Sequence, residues 1–545
     1  MKKEYLVSAK EMKQLDDNTI TKTGIPSLVL MERASISVAE CVMKHLGNNI
    51  TDRILIVAGS GNNGADGICA GRILKEYGYP VDICLLQGTR GYTEELLLQK
   101  KIADTYGITF LHEQDVDFLH YKIVVDAIFG VGINRDVEGP AKTMIDRMNN
   151  ADCYIVSVDI PSGINATTGA VCNVAVKAHE TVTFGFYKSG QILYPGREYC
   201  GKITKACIGI NETSFYDNKP SMFTYMGGWE DKIDFGRKTA GNKGTFGKVL
   251  VVAGRSSTAG AALLCATSAL RSGCGMVAVF TEESNKETFL AGLPEAMVES
   301  FATDDTDEVL FGKLDRWLDW ADVCVIGCGL SKDDTAYKLL SHTLSGFDKT
   351  VVADADAIHL LAMCDELKEL AYNRSREFGK APVIVTPHPG ELATLAHCGI
   401  SDVKEDRFGI TESVCKEYGV ITVAKDADTL CMAAGERTYL NYSGNDGMST
   451  AGSGDVLAGM IASFLAQGMA ATDAAVCRPE QCKKEFISSF SINLNFSSTE
   501  EYHFQFQTNE NLIFHANRIH ISFLLYFLCC KTSFFGAEYD AIELL

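Results

Sequence analysis

Short aliphatic and β-branched runs alternate with longer amphipathic segments along this chain, and no other feature restricts its fold as strongly. In the first part, ADGICAGRILKEYG and TEELLLQKKIADTYG have helical periodicity and end at Gly78 and Gly107, the residue type that commonly closes a helix. Strands that alternate with helices form parallel sheets covered by those helices. The runs predicted as buried strands are residues 54–59, 81–87, 122–130 and 153–163.

A second series of such runs begins at residue 248. Because single hydrophobic cores seldom grow past about 250 to 300 residues, a chain of 545 residues requires at least two. The polar, turn-rich stretch 211–232 has little periodicity and favours a linker. We predict an α/β protein with two three-layer αβα domains, at 1–211 and 238–477, joined by a linker at 212–237. The strands predicted for the second domain are residues 248–254, 276–281, 323–327, 350–356, 382–388 and 420–428.

The alternation stops after Cys477. Residues 478–545 are rich in Phe, Ser, Asn and His, with neither regular alternation nor glycine punctuation. This composition differs from the continuation of an α/β domain. We expect an atypical tail, either frameshifted or disordered, and a second domain whose end is incomplete.

Composition and charge exclude several classes of protein. The 50 Lys and Arg residues against 70 Asp and Glu give a formal charge of −20, which repels nucleic acid. No apolar run approaches the roughly 20 residues that a membrane helix needs, and the N-terminus turns polar too early for a signal peptide. The 19 cysteines have no regular framework and no paired zinc-site spacing. We expect a cytoplasmic homo-oligomer that binds small molecules and neither nucleic acid nor membrane.

The stretch GSGNNGADG (59–67) follows a predicted strand and opens a predicted helix. Its glycines allow a tight turn, and the N–H groups at the helix start can face a phosphate or a ribose. Alone, such a loop is more often an ordinary strand-to-helix turn. Two further segments, VVDAIFGVGINRDVEGP (124–140) and VDIPSGINATTG (158–169), end at the same edge of the parallel sheet, where ligands bind. Their convergence favours a ligand site.

With LMERA (30–34), these segments make the first domain resemble the NAD(P)H-hydrate epimerases of the YjeF N-terminal type, over most of residues 1–211. The resemblance implies a Rossmann-like domain that interconverts the R and S hydrates of NADH and NADPH. One departure is Gly64-Ala65, where the family usually has two glycines; the extra methyl matters only if the backbone needs a positive φ. The residues that would contact the hydrate are Asn62, Asn63, Gly64, Ala65, Asp66, Gly130, Val131, Gly132, Ile133, Asn134, Arg135, Asp136 and Asp159.

Three residues of this first site, Asn63, Asp126 and Ser162, are hard oxygen donors that suit a weakly bound alkali cation. The resemblance implies that this cation is potassium. Epimerisation at C6 of the hydrated ring breaks and remakes a bond at that carbon, assisted by proton transfer. Asp126 is the preferred acid/base, and the alternative, in which Asp126 only holds the cation, is about equally favoured.

A second candidate site is AGSGDVLAG (451–459), which precedes the helical run MIASFLAQG. The N–H groups of residues 452–454 would point from a helix N-terminus toward an anion, so phosphate chemistry is expected. Asp455 would take a proton from a substrate hydroxyl, although an Asp in a first turn often only complements the helix dipole. KDADT (425–429) brings a cation and a hydroxyl to one strand end, and TPHPGE (386–391) brings His388 to another, where ligand contact is favoured over a structural role.

Together with VLVVAGRSSTAGAALLCATSALRSGCG, IGCGLS, VVADADAIHLL and SGNDGMSTAGSGDVLAGMIASFLAQG, these motifs make residues 238–476 resemble the ADP-dependent NAD(P)H-hydrate dehydratases of the ribokinase-like superfamily. The resemblance implies a ribokinase-like domain. The implied hydrate contacts are Ala261, Gly329, His388 and Asp455. The implied adenine-nucleotide contacts are Lys425, Asp426, Ala427, Asp428, Thr429 and Gly454.

The implied dehydration uses ADP and Mg²⁺. Asp455 deprotonates the C6 hydroxyl of the S hydrate, the β-phosphate of ADP is transferred to it, and loss of phosphate restores NAD(P)H. The chain is thus predicted to be a bifunctional isomerase and lyase that acts on the hydrates NADHX and NADPHX. Two alternatives remain: a small-alcohol or vitamin kinase with a nucleotide-binding first domain, and a non-catalytic dinucleotide-binding protein.

Overall fold

The computed structural model describes residues 2–47, 49–86, 91–226, 240–377, 379–442 and 448–476, together with three short strands between 491 and 515. The elements up to residue 226 are β1 (Lys2–Val7), α1 (Ala9–Thr21), α2 (Ser27–Leu46), β2 (Ile54–Ala58), α3 (Asn62–Glu76), β3 (Val81–Leu85), α4 (Glu94–Thr105), β4 (Thr109–Leu111), β5 (Ile123–Ala127), α5 (Gly139–Asn149), β6 (Tyr154–Val158), β7 (Glu180–Phe184), β8 (Tyr187–Lys188), α6 (Gly196–Cys200), β9 (Lys202–Ala206) and β10 (Met222–Met226).

Each of the ten runs that the sequence predicted as strands contains a strand in the structure. The remaining elements begin at residue 248. They are β11 (Lys248–Val252), α7 (Ala259–Arg271), β12 (Met276–Glu282), α8 (Lys286–Gly292), β13 (Met297–Phe301), α9 (Asp307–Trp320), β14 (Val323–Ile326), α10 (Asp334–Gly346), β15 (Val351–Ala353), α11 (Asp356–Met363), α12 (Asp365–Arg374), β16 (Val383–Val385), α13 (Pro389–Leu395), α14 (Ile400–Glu405), α15 (Arg407–Tyr418), β17 (Ile421–Ala424), β18 (Thr429–Met432), β19 (Thr438–Asn441), α16 (Ser453–Ala466), α17 (Ala471–Val476), β20 (Ser491–Leu494), β21 (His503–Gln507) and β22 (Leu512–His515).

Helix ends follow the local chemistry of the sequence. The Ser8 hydroxyl accepts the Glu11 N–H (3.2 Å) while the Glu11 carboxylate accepts the Ser8 N–H (2.8 Å), a capping box that starts α1. Gly78 and Gly107 follow the ends of α3 and α4 with φ values of 91° and 67°, as their predicted closing role requires.

The first sheet has seven strands in the order β4-β3-β2-β5-β6-β7-β9, all parallel. Along β2, Ile54 and Ile56 pack in one core with residues of α2, α3 and α4, while Leu55 and Val57 pack in another with α5. This alternation places helices on both faces of the sheet. The predicted three-layer first domain is therefore confirmed.

The second sheet has twelve strands in the order β13-β12-β11-β14-β15-β16-β17-β18-β19-β10-β1-β8. From β13 to β17 its strands are parallel, and β18 runs antiparallel to both neighbours. Along β11, Val249 and Val251 pack in one core with residues of α7 and α16, while Leu250 and Val252 pack in another with α9 and α10. The second domain is thus also a three-layer α/β domain, as predicted.

Three strands of the second sheet come from the first part of the chain. β1 pairs antiparallel with β10 and parallel with β8, and β10 pairs parallel with β19. The stretch 212–237, predicted as a linker, therefore contributes a strand to the second sheet, and its residues from 227 lie outside the described residues. The stretch has little hydrophobic periodicity of its own, and the strands with which it pairs, β1 and β19, are distant in sequence. The sequence analysis therefore did not predict this strand. The domain boundaries themselves stay predictions.

The predicted atypical tail lies mostly outside the described residues. Its described part is an antiparallel sheet of β20, β21 and β22. Among the described residues, no helix combines the length and the apolar character needed to cross a membrane. The fifteen described cysteines form no disulfide with one another.

Two candidate active sites

A strand, a glycine turn and a helix form the base of the first site, as the sequence predicted. α3 begins at Asn62, directly after the turn that follows β2. A Cβ on Gly59 would overlap the Ile128 carbonyl oxygen, and a Cβ on Gly64 would overlap the Gly59 carbonyl oxygen. Ala65 is completely buried within α3, and it is not among the described residues with a positive φ. Its methyl therefore fits the core, whereas Gly59 and Gly64 must be glycine.

Asp126 lies on β5, and its side chain is completely buried. Its carboxylate accepts hydrogen bonds from the Ser157 hydroxyl (2.8 Å), the Ile128 N–H (3.3 Å), and both the N–H (2.9 Å) and the hydroxyl of Ser162. Burial raises the pKa of Asp126, and these hydrogen bonds partly oppose the shift. The structure thus brings Asp126 and Ser162 together and gives the carboxylate four protein donors.

Asn63, the third expected cation ligand, lies in the first turn of α3. A Cβ added to Gly130 would lie 3.1 Å from Asn63 Oδ1, so the amide packs against the loop after β5. The Phe129 N–H, one residue earlier, donates to the Ser162 hydroxyl (2.8 Å). Asn63 Nδ2 is buried and has no hydrogen-bond partner among the described residues. An unpaired buried amide, whose oxygen and nitrogen can be exchanged by a flip, therefore lies near the Asp126–Ser162 pair.

Asp159 follows β6 with a φ of 66°, which is uncommon for a residue with a side chain. Its carboxylate accepts the Phe184 N–H (3.0 Å) and forms an ion pair with Lys188. The Lys188 side chain is completely buried, and its ammonium also donates to the Thr183 hydroxyl (2.9 Å). Burial lowers the pKa of Lys188, and Asp159 opposes the shift. Lys188 was not predicted, because one lysine in GFYKSGQ gives no sign of burial.

Two more carboxyl groups interact with Asp159. Burial, Asp159 and Asp16 together raise the pKa of Asp66 well above its ordinary value. Burial, Asp17 and Asp159 likewise raise the pKa of Asp16, a residue of α1 that was not predicted. Asp159 itself is ion-paired with the buried ammonium of Lys188. The first site therefore contains a carboxyl group with a raised pKa, Asp66, and one that is paired with a buried lysine, Asp159.

The loop after β5 lies at the carboxyl edge of the first sheet, next to the turn and to Asp159. Val131 and Ile133 are half-buried and pack against the cores. The exposed members of the predicted hydrate-contacting set are Asn62, Gly132, Asn134, Arg135 and Asp136. The three segments thus meet at one edge, as predicted.

The second site lies where α16 begins. Gly452 precedes this helix with a φ of 85°, a conformation that favours glycine. Asp455 is half-buried in the first turn, and burial and the charge of Asp354 raise its pKa. A Cβ on Gly454 would lie 3.1 Å from Lys425 Nζ, so the turn and the lysine of KDADT are adjacent. The structure therefore joins two motifs that lie 29 residues apart by their numbering, Lys425 and Gly454.

Asp354 links these motifs to a third one. It follows β15, is 2% exposed, and accepts hydrogen bonds from the Thr386 hydroxyl (2.6 Å) and the Lys425 ammonium (3.0 Å). Neither Asp354 nor Thr386 was predicted as a site residue. Both lie just after strands within VVADADAIHLL and TPHPGE, and that position at the carboxyl edge could have identified them.

His388 begins α13 and has an exposed side chain, as predicted. Its Nδ1 accepts the N–H groups of Gly390 (3.0 Å) and Glu391 (3.3 Å), which leaves Nε2 as the protonated nitrogen of the neutral ring. Burial and the charge of Lys425 lower the pKa of His388. The Glu391 carboxylate accepts the His388 N–H (2.8 Å), and burial raises its pKa to about 7.

Ala261 and Gly329 meet around Thr258. The Thr258 hydroxyl donates to the Gly329 carbonyl (2.6 Å), and the Ala261 N–H donates to the Thr258 carbonyl (3.2 Å). Gly329 has a φ of 61°, and a Cβ there would lie 2.7 Å from Thr258 Cβ. Both predicted hydrate contacts therefore flank one turn at the start of α7.

The side chains of two predicted nucleotide contacts are engaged by Arg407, a residue that was not predicted. Asp428 is buried, pairs with Arg407, and accepts the Tyr194 N–H (3.1 Å) from the first part of the chain. Asp426 pairs with Arg407 at 3.0 Å. The segment 425–429 thus presents the ammonium of Lys425 and its own backbone rather than the Asp428 carboxylate. Of the other two predicted contacts in this segment, Ala427 is exposed and Thr429 is half-buried.

Comparisons with known proteins agree with this organisation. The sequence matches a model of the YjeF-related protein N-terminus over residues 27–190 and a model of NAD(P)H-hydrate dehydratase over residues 249–484. A solved ADP/ATP-dependent NAD(P)H-hydrate dehydratase from Bacillus subtilis, co-crystallised with ATP and Mg²⁺, is 25% identical and has a TM-score of 0.35. The match covers 44% of this chain and 79% of that one.

The chain is also similar to relatives that match most of its length and to relatives that match its first domain. The NAD(P)H-hydrate epimerase of Oenococcus oeni is 42% identical over 206 residues, which cover 38% of this chain and 97% of that protein. The bifunctional NAD(P)H-hydrate repair enzyme Nnr of Moorella thermoacetica is 34% identical over 482 residues, which cover 85% of this chain and 88% of that protein. Both family resemblances predicted from the motifs are thereby confirmed. The chain belongs to the family of bifunctional NAD(P)H-hydrate repair enzymes.

Proposed function

We propose that this chain repairs hydrated NADH and NADPH in two steps. The first domain interconverts the R and S hydrates, and the second dehydrates the S hydrate with ADP. The observation that carries the second step is the meeting of Asp455, Lys425 and Asp354 at the start of α16. The two activities complement each other, because the first supplies the isomer that the second consumes.

In the first site, we assign proton transfer to Asp66 and Asp159. Asp126, the acid/base candidate from the sequence, is completely buried, and its four hydrogen bonds occupy the lone pairs with which it would accept a substrate proton. We therefore keep its alternative role at the cation site, without proton transfer. The raised pKa of Asp66 suits a proton donor. Asp159 has an ion pair with the buried Lys188 and suits the role of its partner in proton transfer.

Potassium is the cation expected beside Asp126. The residues fit it, because the Asp126 carboxylate and the Ser162 hydroxyl adjoin, and a flip of the Asn63 amide would turn its oxygen to the place where the buried nitrogen has no partner among the described residues. When bound, potassium would supply a positive charge near the buried carboxylate. Asn63 would then fix the turn of residues 59–67 against the loop after β5, which orders the backbone groups that face the hydrate.

In the second site, Asp455 is the base. Its raised pKa makes the carboxylate a better acceptor for the proton of the C6 hydroxyl. The resulting oxygen bonds to the β-phosphorus of ADP as the bond to the bridging oxygen breaks, which releases AMP. Expulsion of phosphate from C6, with loss of a ring proton, then restores the dihydronicotinamide. The N–H groups of residues 452–454 and the Lys425 ammonium stabilise the negative charge on the transferred group.

The hydrate would face Ala261, Gly329 and His388, and the ADP phosphates would lie between Lys425 and the start of α16. Magnesium would be held by oxygen atoms of the phosphates, and when bound it would neutralise phosphate charge. We place the protein in the cytoplasm, which suits the free thiols of the described cysteines. We also propose a homo-oligomer, which a measurement of mass in solution tests.

An assay with mixed hydrates and ADP tests the proposal, with the recovery of dihydronicotinamide absorbance as the readout. Asp455→Asn is expected to slow dehydration by at least about 100-fold and to leave epimerisation intact, since a general base contributes 10²–10⁴-fold. Asp126→Ala is expected to slow epimerisation, because the cation site is lost, and to leave dehydration intact, so each variant controls for the folding of the other. A phosphorylated product that persists would instead indicate a kinase, and binding without turnover a non-catalytic protein.

A further inference from the structure

A completely buried thiol lies beside the carboxylates of the second site. Cys328 follows β14, and its Sγ, one Asp354 oxygen and one Asp455 oxygen all lie within 4.8 Å of one another. The Cys328 thiol adjoins Asp455 and the Cys265 thiol on α7. The backbone holds this arrangement closely, because a Cβ on Gly327 would overlap the Asp354 carbonyl oxygen. The proposed dehydration uses Asp455 but gives the thiol no role.

The charges of this cluster leave room for a cation. Asp354 pairs with the Lys425 ammonium at 3.0 Å, while Asp455 faces the thiol and feels the charge of Asp354. Two carboxylates therefore outnumber the one ammonium group, and a thiolate would add a second uncompensated negative charge. A divalent cation would balance both. Because Cys328 and Asp354 are buried, such a cation would be shielded from water on their side.

We propose that Cys328, Asp354 and Asp455 bind a thiophilic divalent cation of the Zn²⁺ class, and that this ion inhibits the dehydration. Zn²⁺ accepts thiolate and carboxylate ligands together, whereas Mg²⁺ takes oxygen ligands, so the thiol selects the softer ion. On binding, the cation replaces the thiol proton, which passes to solvent. The ion then occupies the lone pair with which Asp455 would accept the hydroxyl proton. The inhibition rests on the proposed role of Asp455 as base; the binding itself does not.

Cadmium is the probe, because a thiolate–cadmium bond absorbs in the ultraviolet. The full-length protein is titrated with Cd²⁺ in excess Mg²⁺, and bound metal is counted by equilibrium dialysis. Cys328→Ser keeps the size and the hydrogen-bond donor but removes the thiolate. Since losing an outer-shell partner already costs 10–100-fold in metal affinity, losing this ligand is expected to cost at least about 100-fold. Cys274→Ser, a change at another buried thiol of the same domain, is the matched control and should bind like the unaltered protein.

The expected result is one more bound Cd²⁺ and a stronger charge-transfer band in the unaltered protein and Cys274→Ser than in Cys328→Ser. Equal metal counts and equal bands in all three proteins would overturn the proposal, as would displacement of Cd²⁺ by Mg²⁺. Circular dichroism and urea unfolding report the folding of each variant; if Cys328→Ser is unfolded, Cys328→Ala takes its place. Dehydration should stop at one equivalent of Cd²⁺ while epimerisation continues. If the unaltered protein with Mg²⁺ and ADP shows no dehydration before Cd²⁺ is added, the proposed function fails, but the difference in bound metal still decides the ion site.

Discussion

At the residue scale, two neighbours at the start of α3 differ sharply in what they tolerate. Gly64→Ala would place a methyl on the Gly59 carbonyl oxygen, so it should distort the turn, cost about 1–3 kcal/mol of unfolding free energy and abolish epimerisation. Ala65→Gly should cost about 1 kcal/mol, from helix propensity and a lost core methyl, and keep the activity. Urea unfolding and the epimerase assay measure both effects. A fully active Gly64→Ala protein would contradict the role of the turn.

Lys188 gives a second prediction at this scale. Lys188→Met removes one partner of a buried ion pair. Asp159, which is only 8% exposed, would then lack its cation, and such a loss typically costs about 3–5 kcal/mol. The unfolding free energy should fall by that amount, and epimerisation should fall with it. Adding Asp159→Asn should recover part of the stability but none of the activity, because the proposed base is then absent. If Asp159→Asn recovers no stability, the ion pair is not what Lys188 contributes.

The sequence predicted candidate site residues that lie within local glycine-containing motifs. It did not predict residues that contact the site from segments distant in sequence. Asn63, Asp126 and Asp455 belong to local motifs whose chemistry can be read from a few neighbours. Lys188 and Arg407 act through Asp159 and Asp428, and these pairings depend on how distant segments pack. Hydrophobic periodicity does not encode that packing, so the second partner of each pair could not be predicted.

At the element scale, the start of α13 has a charge that depends on pH. Glu391 caps this helix, and burial raises its pKa from 4.5 to about 7. Between these pH values the unfolded chain loses a proton that the native protein keeps, so this contribution to stability declines as pH rises and then levels off. The whole decline is about 3 kcal/mol.

Glu391→Gln tests this contribution, because its amide oxygen can still accept the His388 N–H. The variant should gain stability relative to the unaltered protein as pH rises from 4.5 to 7, and the gain should stay constant above that. Urea unfolding at a series of pH values measures the difference. Parallel stability curves for the two proteins would show that the pKa of Glu391 is the same in the native and unfolded states, which would contradict the prediction.

The elements themselves were predictable where they are regular and buried. All ten predicted strands are present, because a continuous aliphatic run between glycines has few other solutions. β1, β8 and β10 were not predicted. They are short or lie at the end of the second sheet, and their pairing joins residues about 180 or more positions apart, such as Leu6 with Met222 and Tyr187.

At the scale of the whole molecule, one strand takes part in both cores. β1 is at the N-terminus, yet it pairs within the second sheet, and β8 beside it carries Lys188 of the first site. Leu6 packs in the core of the second domain with Leu440. Val7, the next residue, packs in the core of the first domain. The second domain therefore includes residues that precede the first.

Leu6→Ala is expected to weaken the second domain, although Leu6 belongs by sequence to the first. The lost side chain is completely buried, so the cost should be about 2–5 kcal/mol, and dehydration should be lost at a lower temperature than in the unaltered protein. Val7→Ala, on the opposite face of the same strand, should instead lower the temperature at which epimerisation is lost. Both activities are measured after heating at a series of temperatures. If each variant lost both activities at the same temperature, β1 would stabilise a single cooperative unit. Packing against two separate cores requires instead that Leu6→Ala mainly affect dehydration and Val7→Ala mainly affect epimerisation.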